Sequence, residues 1–491
     1  MRLILVIATT LLPQTLRAAE PDPAAARRLA ADALKAWDVP GVAVVVVRGD
    51  DTLLLEGFGV REAGGDAKVT PDTLFPLASC TKAFTTTLLA MLADDGVIGW
   101  DDPVRKHLPA FKLSDPHADA LLTVRDLLCH RTGIAGHDLL WYHAPWDMDE
   151  VIRRAQSLPL EYPFRGGFRY SSIPFLVAGR AVEKRTGEAW EKLIRDRICE
   201  PLGMKGVALS SKEIPTGAER AAGHRLDGAG KVGPMRMWEL REPNPSGSVF
   251  ATGRDAAAWL KFHLADGRGP DGGRLVSIKN LEETKTPHNV VRREGSAKVM
   301  NPDTVQMGYA LGWLVYDHRG KKVVSHGGMY DGFRVQVTML PDEKLGIAVL
   351  CNLHDTRLTA ALTNSLIDLY AGFPAKDWNA YYRKVADDDA AAGKAATAKL
   401  DAARDPAKKP TLAPAAYAGE YAHPAYGTAT VRAEKGKLVL KWSSFVCPLE
   451  HFTGDAFRVA GGFFKDRIVP FGIRDGKVTG LTFAEQQFER K

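Results

Sequence analysis

Two hydrophobic rhythms alternate along the chain. Residues 42–47 form an unbroken valine-rich run and 52–58 a second apolar segment, joined at Gly49-Asp50-Asp51, which predicts a β-hairpin. Before it, Leu29, Ala33, Leu34 and Trp37 share one face of an Ala-rich helix over 23–37, stopped by Pro40-Gly41. After it, Phe84, Leu88, Met91 and Leu92 recur at i, i+4, i+7 and i+8, a helix with one buried face that stops near Asp95-Gly96. Residues 100–133 read as helical with loop breaks, and 148–260 as mainly helical. Strand character returns at 312–316 and 322–326. Residues 333–340 roughly alternate, Pro341-Asp342-Glu343 turns the chain, and 345–351 is an apolar return strand before a helix over 358–370. Strands at both ends with helices between predict an α+β fold: one antiparallel sheet flanked by helices, plus an all-helical lobe. Catalysis is expected where sheet and lobe meet.

Past Pro374 the pattern changes. Residues 377–405, rich in Ala, Lys and Asp, predict a solvated helix, and 406–414 a linker. From Tyr417 onward, short strand-like segments are separated by turns at Lys435-Gly436, Thr453-Gly454-Asp455, Gly461-Gly462 and Asp475-Gly476, a small all-β module. At the other end, Arg2, the apolar run 3–12 and Ala18-Ala19 have the layout of a signal peptide. The run is too short to anchor in a bilayer, so a periplasmic or secreted protein without stable membrane insertion is expected. The expected organisation is therefore a leader over 1–19, a main domain over 20–374, a helical linker over 375–414 and an all-β domain over 415–491.

Composition adds exclusions. Of 491 residues, 25% are charged and 45% hydrophobic, as in an ordinary soluble protein, and the net charge of +6 falls by the two arginines of the leader. No basic stripe is interleaved with aromatics, so nucleic acid is not an expected partner. The five cysteines are scattered and odd in number, which argues against a disulfide framework or a zinc site. His130, His137 and His143 lack metal-ligand spacing, and no cofactor is implied.

Candidate chemistry starts at Ser79. Ser79 and Lys82 are three residues apart at the first turn of a predicted helix, so both side chains project from one face. A serine hydroxyl needs a neighbour to take its proton, and a lysine one turn away can do so if burial lowers its pKa. Ser-x-x-Lys occurs at no other serine of the chain. Cys80 is read as a small buried hydrophobe rather than a competing nucleophile. A second element, Tyr170-Ser171-Ser172, precedes an apolar helix; its phenol can reach the serine or a leaving group, and nearby cations could make it a base. A third, Ser325-His326-Gly327-Gly328-Met329, is a strand ending in two glycines. There a substrate carbonyl can approach the backbone, an N–H can pair with that of Ser79, and His326 would stand at the rim to bind a carboxylate or shuttle a proton.

In this order the three elements resemble the serine β-lactamase and penicillin-binding-protein superfamily, in particular the branch with class C β-lactamases, D-stereospecific peptidases and related esterases. The resemblance spans roughly residues 25–370, and the C-terminal module is similar to the small lipocalin-like domain found after such hydrolases. It implies Ser79 as acylated nucleophile, Lys82 and Tyr170 as the proton-transfer pair, His326 in place of the third motif's lysine, and the N–H groups of Ser79 and Met329 as oxyanion hole. Two departures matter. Ser172 stands where the family usually has Asn, and His326-Gly327-Gly328 stands for Lys-Thr-Gly. Both weaken the fit to β-lactams more than to acyl-enzyme chemistry. The expected function is an exported serine hydrolase of esters or D-peptide and amide substrates. Alternatives are a class C-like β-lactamase or DD-peptidase, or a penicillin-binding-type sensor or scaffold without turnover. The expected partner is a small-molecule or peptide substrate, with self-association through the C-terminal domain.

Overall fold

The computed structural model describes residues 21–491; the leader expected over 1–19 lies outside the described residues. An eight-stranded antiparallel sheet organises the first part. Its strands are β1 (Gly41–Arg48), β2 (Asp51–Gly59), β3 (Asn289–Val290), β4 (Met307–Tyr309), β5 (Leu314–His318), β6 (Lys321–Tyr330), β7 (Phe333–Leu340) and β8 (Leu345–Cys351). They lie in the order β2-β1-β8-β7-β6-β5-β4-β3. The N-terminal hairpin therefore joins the C-terminal strands directly, with Val42 opposite Cys351 and Arg48 opposite Leu345. Every residue of β1 is buried, which explains the continuous valine run: both faces of that strand are covered. Helix α1 (Pro23–Trp37) packs with α5 (Leu358–Ala371), and α4 (Gly253–Leu264) covers β1 and β8.

The helical lobe holds α2 (Thr81–Asp94) and α3 (Ile173–Thr186), which pack against each other. The expectation that 148–260 is mainly helical is corrected beyond Cys199. Residues 201–250 carry short strands such as His224–Leu226 and Val232–Pro234 within loops, because glycines and prolines interrupt every helical period there. The expected solvated helix is also only half so. In α6 (Trp378–Ala402), Trp378, Tyr382 and Val385 are buried, while the rest of the helix is mostly exposed. Trp37 Nε1 donates to Asn379 at 3.0 Å and Trp378 Nε1 to Asp368 at 2.7 Å, so the linker is tied to the main domain.

The C-terminal module is a closed antiparallel barrel, β9 (Gly419–His423), β10 (Gly427–Glu434), β11 (Lys437–Trp442), β12 (Phe445–Thr453), β13 (Ala456–Val459), β14 (Ile468–Arg474), β15 (Lys477–Phe483) and β16 (Gln486–Arg490), with the last strand paired to the first. All four expected turns fall between its strands. Tyr421, Leu440, Trp442, Leu449, Val469 and Phe488 are buried, so the barrel encloses a packed core. It is seated on the main domain: the Ser444 hydroxyl donates to the His143 carbonyl at 2.6 Å, and His137 Nδ1 meets the Tyr426 hydroxyl at 2.9 Å.

Candidate active site

Ser79 lies in a 3-10 turn, Ala78–Cys80, that runs into α2. Ala78 takes a left-handed φ of 47°, a strain of roughly 1–2 kcal/mol for a residue with a Cβ. Its surroundings hold it there. Leu77 N–H donates to the Val249 carbonyl at 2.7 Å, and the Cys80 thiol to the His326 carbonyl at 3.1 Å. Burial pushes the Cys80 thiol up to about 12, which removes it as a nucleophile. Beneath the turn lies Gly328. A Cβ at that position would fall 2.3 Å from the Leu77 carbonyl oxygen, so strand and turn can meet only through glycine.

The lysine is sealed behind the serine. Lys82 has no exposed surface, and its ammonium nitrogen is 3.5 Å from Ser79 Oγ and 3.0 Å from the Ser246 carbonyl. The loop that supplies this carbonyl is braced by Asn244, whose Oδ1 accepts from both the N–H and the hydroxyl of Ser246 at 2.8 and 2.6 Å. Desolvation outweighs the attraction of Asp138 and lowers the Lys82 pKa to about 7. Burial thus brings the amine's proton affinity down toward neutral pH, as a proton acceptor requires.

Of the two roles open to the phenol, leaving-group donor or base, its surroundings favour the first. The Lys82 nitrogen stands 4.9 Å from the Tyr170 ring centre, yet burial raises the phenol pKa well above its ordinary value; Ser79 only partly offsets this. Tyr170 is therefore a protonated donor and not a phenolate base. Its buried hydroxyl meets no partner at full hydrogen-bond geometry. The ring is held by the His130 ring at 4.3 Å between centres.

His326 requires a correction. It is buried, with Nδ1 2.6 Å from the Gly327 carbonyl and Nε2 2.9 Å from the Tyr309 hydroxyl. Because a carbonyl only accepts, Nδ1 carries the proton and Nε2 accepts from Tyr309. Burial, aided by Lys82, lowers its pKa to about 3. A neutral ring with both nitrogens engaged is no cationic anchor for a carboxylate. The strand also does not end at the glycines: β6 continues to Tyr330 and turns at Asp331-Gly332.

Ser79, Tyr170, Ser172, His326, Gly327, Gly328 and Met329 all line one cavity of ≈ 690 Å³, with Lys82 directly behind. The sequence reading thus brings its candidates to one place. Gly327 and Met329 are exposed there, whereas Gly328 is buried against the serine turn. Asp138 was not anticipated. It opens into the cavity, accepts from Trp141 Nε1 at 2.9 Å and interacts with Ser172 and Lys82; the protein around it raises its pKa. A lone Asp after His137 gives no sequence signal, and neither does the Ser246 carbonyl. Arg334 and Arg357 line another part of the cavity, and Phe463 reaches it from the barrel. Among the described residues, no cluster of three or more His, Cys, Asp or Glu could hold a metal ion, and no helix is long and apolar enough to cross a membrane.

Comparison with known proteins agrees with this geometry. The β-lactamase family model matches residues 26–371, and a domain of unknown function, DUF3471, matches 403–491. The chain is 31% identical over 460 residues to the unguisins hydrolase of Aspergillus violaceofuscus, covering 87% of this chain and 81% of that protein. The octameric penicillin-binding protein homologue from Pyrococcus abyssi superposes with a TM-score of 0.62 at 21% identity, over 95% of this chain and 99% of that one. A D-stereospecific amidohydrolase from Streptomyces gives 0.57 at 23% identity, over 72% of this chain and 100% of its own. With a family model over most of its length and the serine, lysine and tyrosine gathered at one cavity, the chain belongs to the β-lactamase family of serine hydrolases.

Proposed function

We propose that the protein is an exported hydrolase that cleaves amide or ester bonds, D-configured peptides among them, through an acyl ester on Ser79. The observation that carries this reading is the Lys82 amine, sealed from solvent, tuned to about 7 and 3.5 Å from the hydroxyl of Ser79, which is open to the cavity. Lys82 takes the Ser79 proton as Oγ bonds to the substrate carbonyl carbon, and the oxyanion accepts from the backbone N–H groups of Ser79 and Met329. When the tetrahedral intermediate collapses, the carbon–leaving group bond breaks and the departing nitrogen or oxygen takes a proton from the Tyr170 hydroxyl, which Lys82 restores. Water then attacks the ester carbon, losing its proton to Lys82; the carbon–Oγ bond breaks, Ser79 Oγ takes that proton back from Lys82, and the acid is released.

A neutral His326 and a serine at 172 support esters and amides ahead of β-lactams, since neither supplies the cation or the amide expected to grip those drugs. The name of the D-stereospecific amidohydrolase points to D-configured amides, and that of the unguisins hydrolase to hydrolysis. The layout of residues 1–19 supports export to the periplasm or medium. The test is a panel of p-nitrophenyl esters, D-amino-acid amides and nitrocefin, with intact-mass spectrometry after fluorophosphonate treatment. The reading expects an adduct on Ser79 and turnover of esters and amides, both lost in Ser79→Ala. Labelling that survives the substitution overturns it, and tight binding without product assigns the protein to a sensor instead.

A further inference from the structure

A second cavity of ≈ 880 Å³ lies between the barrel and the segment 135–142 of the catalytic domain. It adjoins the Ser79 cavity: Asp138, Tyr142 and Phe463 line both. On the barrel side its wall is aromatic, built from Tyr426, Phe464 and Phe483. At the junction, Phe463 is 58% exposed while its neighbours Phe464 and Phe445 are buried. Its ring stands 5.9 Å from Tyr142 and 5.2 Å from Phe445, and its exposed part lines both cavities. An aromatic ring left in water at the mouth of a reactive cleft is a binding surface in waiting.

A pocket of several hundred cubic ångströms already holds a drug-sized molecule, so the Ser79 cavity alone suffices for a small ester or amino-acid amide. The adjoining space has room for more. Its rim is mixed: Glu161 and Glu485 from the two domains, Arg467 near Glu485 at 3.7 Å, and the backbone of Ala135 and Gly136. Apolar side-chain sites beside hydrogen-bonding groups suit a polypeptide better than a lipid or a sugar.

We infer that the inter-domain cavity is the continuation of the substrate cleft and holds the chain of a peptide substrate beyond the reacting carbonyl, with an apolar side chain against Phe463. This rests on the hydrolase reading for its chemistry, but the binding it describes is measurable without turnover. The barrel then acts as a specificity element, and peptides of several residues are preferred over single amino-acid amides.

The experiment uses the full chain with Ser79→Ala, so that nothing is cleaved, and a fluorescein-labelled hexapeptide of Leu, Phe and Ala in all-L and all-D forms. Anisotropy is expected to show binding of at least one enantiomer, and Phe463→Ala on the same background is expected to raise Kd about tenfold. Phe463→Leu should recover most of the affinity. In the active enzyme, Phe463→Ala should raise KM for the hexapeptide amide far more than for the matching single-residue amide, with kcat little changed. Phe463 lies on an exposed loop, and unaltered thermal melting checks that the fold is intact. No binding of either enantiomer, or a Kd unchanged by Phe463→Ala, overturns the inference. Loss of the hydrolase reading looks different: no Ser79 adduct forms, whatever the anisotropy shows.

Discussion

At the Ser79 centre, buried polar groups are left short of partners; in the barrel they are matched. Tyr170 Oη and His130 Nε2 are buried without a partner at full hydrogen-bond geometry, Lys82 is buried at the expense of its own charge, and Ala78 is strained. In the barrel, the Tyr421 hydroxyl donates to the Tyr417 carbonyl at 2.6 Å and Trp442 Nε1 to the Tyr426 carbonyl at 2.8 Å. Among the described residues, no buried side-chain nitrogen or oxygen of the barrel lacks a partner. The difference separates two tasks. One region holds groups in states that water would relax, and the other satisfies the polar groups it buries.

The largest test of this contrast is Ser79→Ala. It should lower kcat by about 10⁴-fold or more, while leaving the melting temperature close to that of the parent. A large fall in stability would place Ser79 in the structural class. Next comes Trp442→Ala in the barrel, which should cost about 3–5 kcal/mol of barrel stability while fluorophosphonate still labels Ser79 under native conditions. Denaturant unfolding followed by far-UV circular dichroism reads the first, and intact mass the second. The two glycines of β6 sharpen the comparison within the catalytic domain. Gly328→Ala should destabilise by about 1–3 kcal/mol through its clash with the Leu77 carbonyl. Gly327→Ala meets nothing closer than 3.8 Å and should leave stability nearly unchanged.

The smallest effect is on pH. Because Lys82 works only when neutral and its pKa is lowered to about 7, kcat/KM should rise about tenfold per pH unit below that value and flatten above it. The same burial has a sign for stability. The folded state binds its Lys82 proton less tightly than the unfolded chain, so this group opposes folding fully below pH 7. That opposition fades as pH rises from 7 toward the ordinary lysine value of 10.5. Lys82→Met should therefore be inactive yet melt higher than the parent at pH 6. An inactive variant that melts lower would show that the bond to the Ser246 carbonyl outweighs desolvation.

Long periodic elements were legible from the sequence alone. The strand 345–351 and the helices 23–37 and 358–370 depend on local apolar runs, and they appear within a residue of their expected ends. The strands Asn289–Val290 and Met307–Tyr309 were not legible, since two or three residues carry no period. The residues of the site were legible as types at spacings, but their protonation was not. Burial chooses among the roles the sequence left open: the phenol keeps its proton, and the imidazole stays neutral with both nitrogens engaged. Asp138 and the Ser246 carbonyl join the site only through long-range folding, as Phe463 does from another domain.

The placing of β1 beside β8 has a consequence for synthesis. Gly41 N–H is bonded to the Asn352 side chain, 311 residues away, so the central valine strand has no permanent neighbour on that side until most of the chain has been made. For that interval a sticky, valine-rich ribbon waits beside its hairpin partner alone. Such late closure makes folding slow and aggregation-prone, and the growing chain has reason to depend on chaperones until residue 351 emerges.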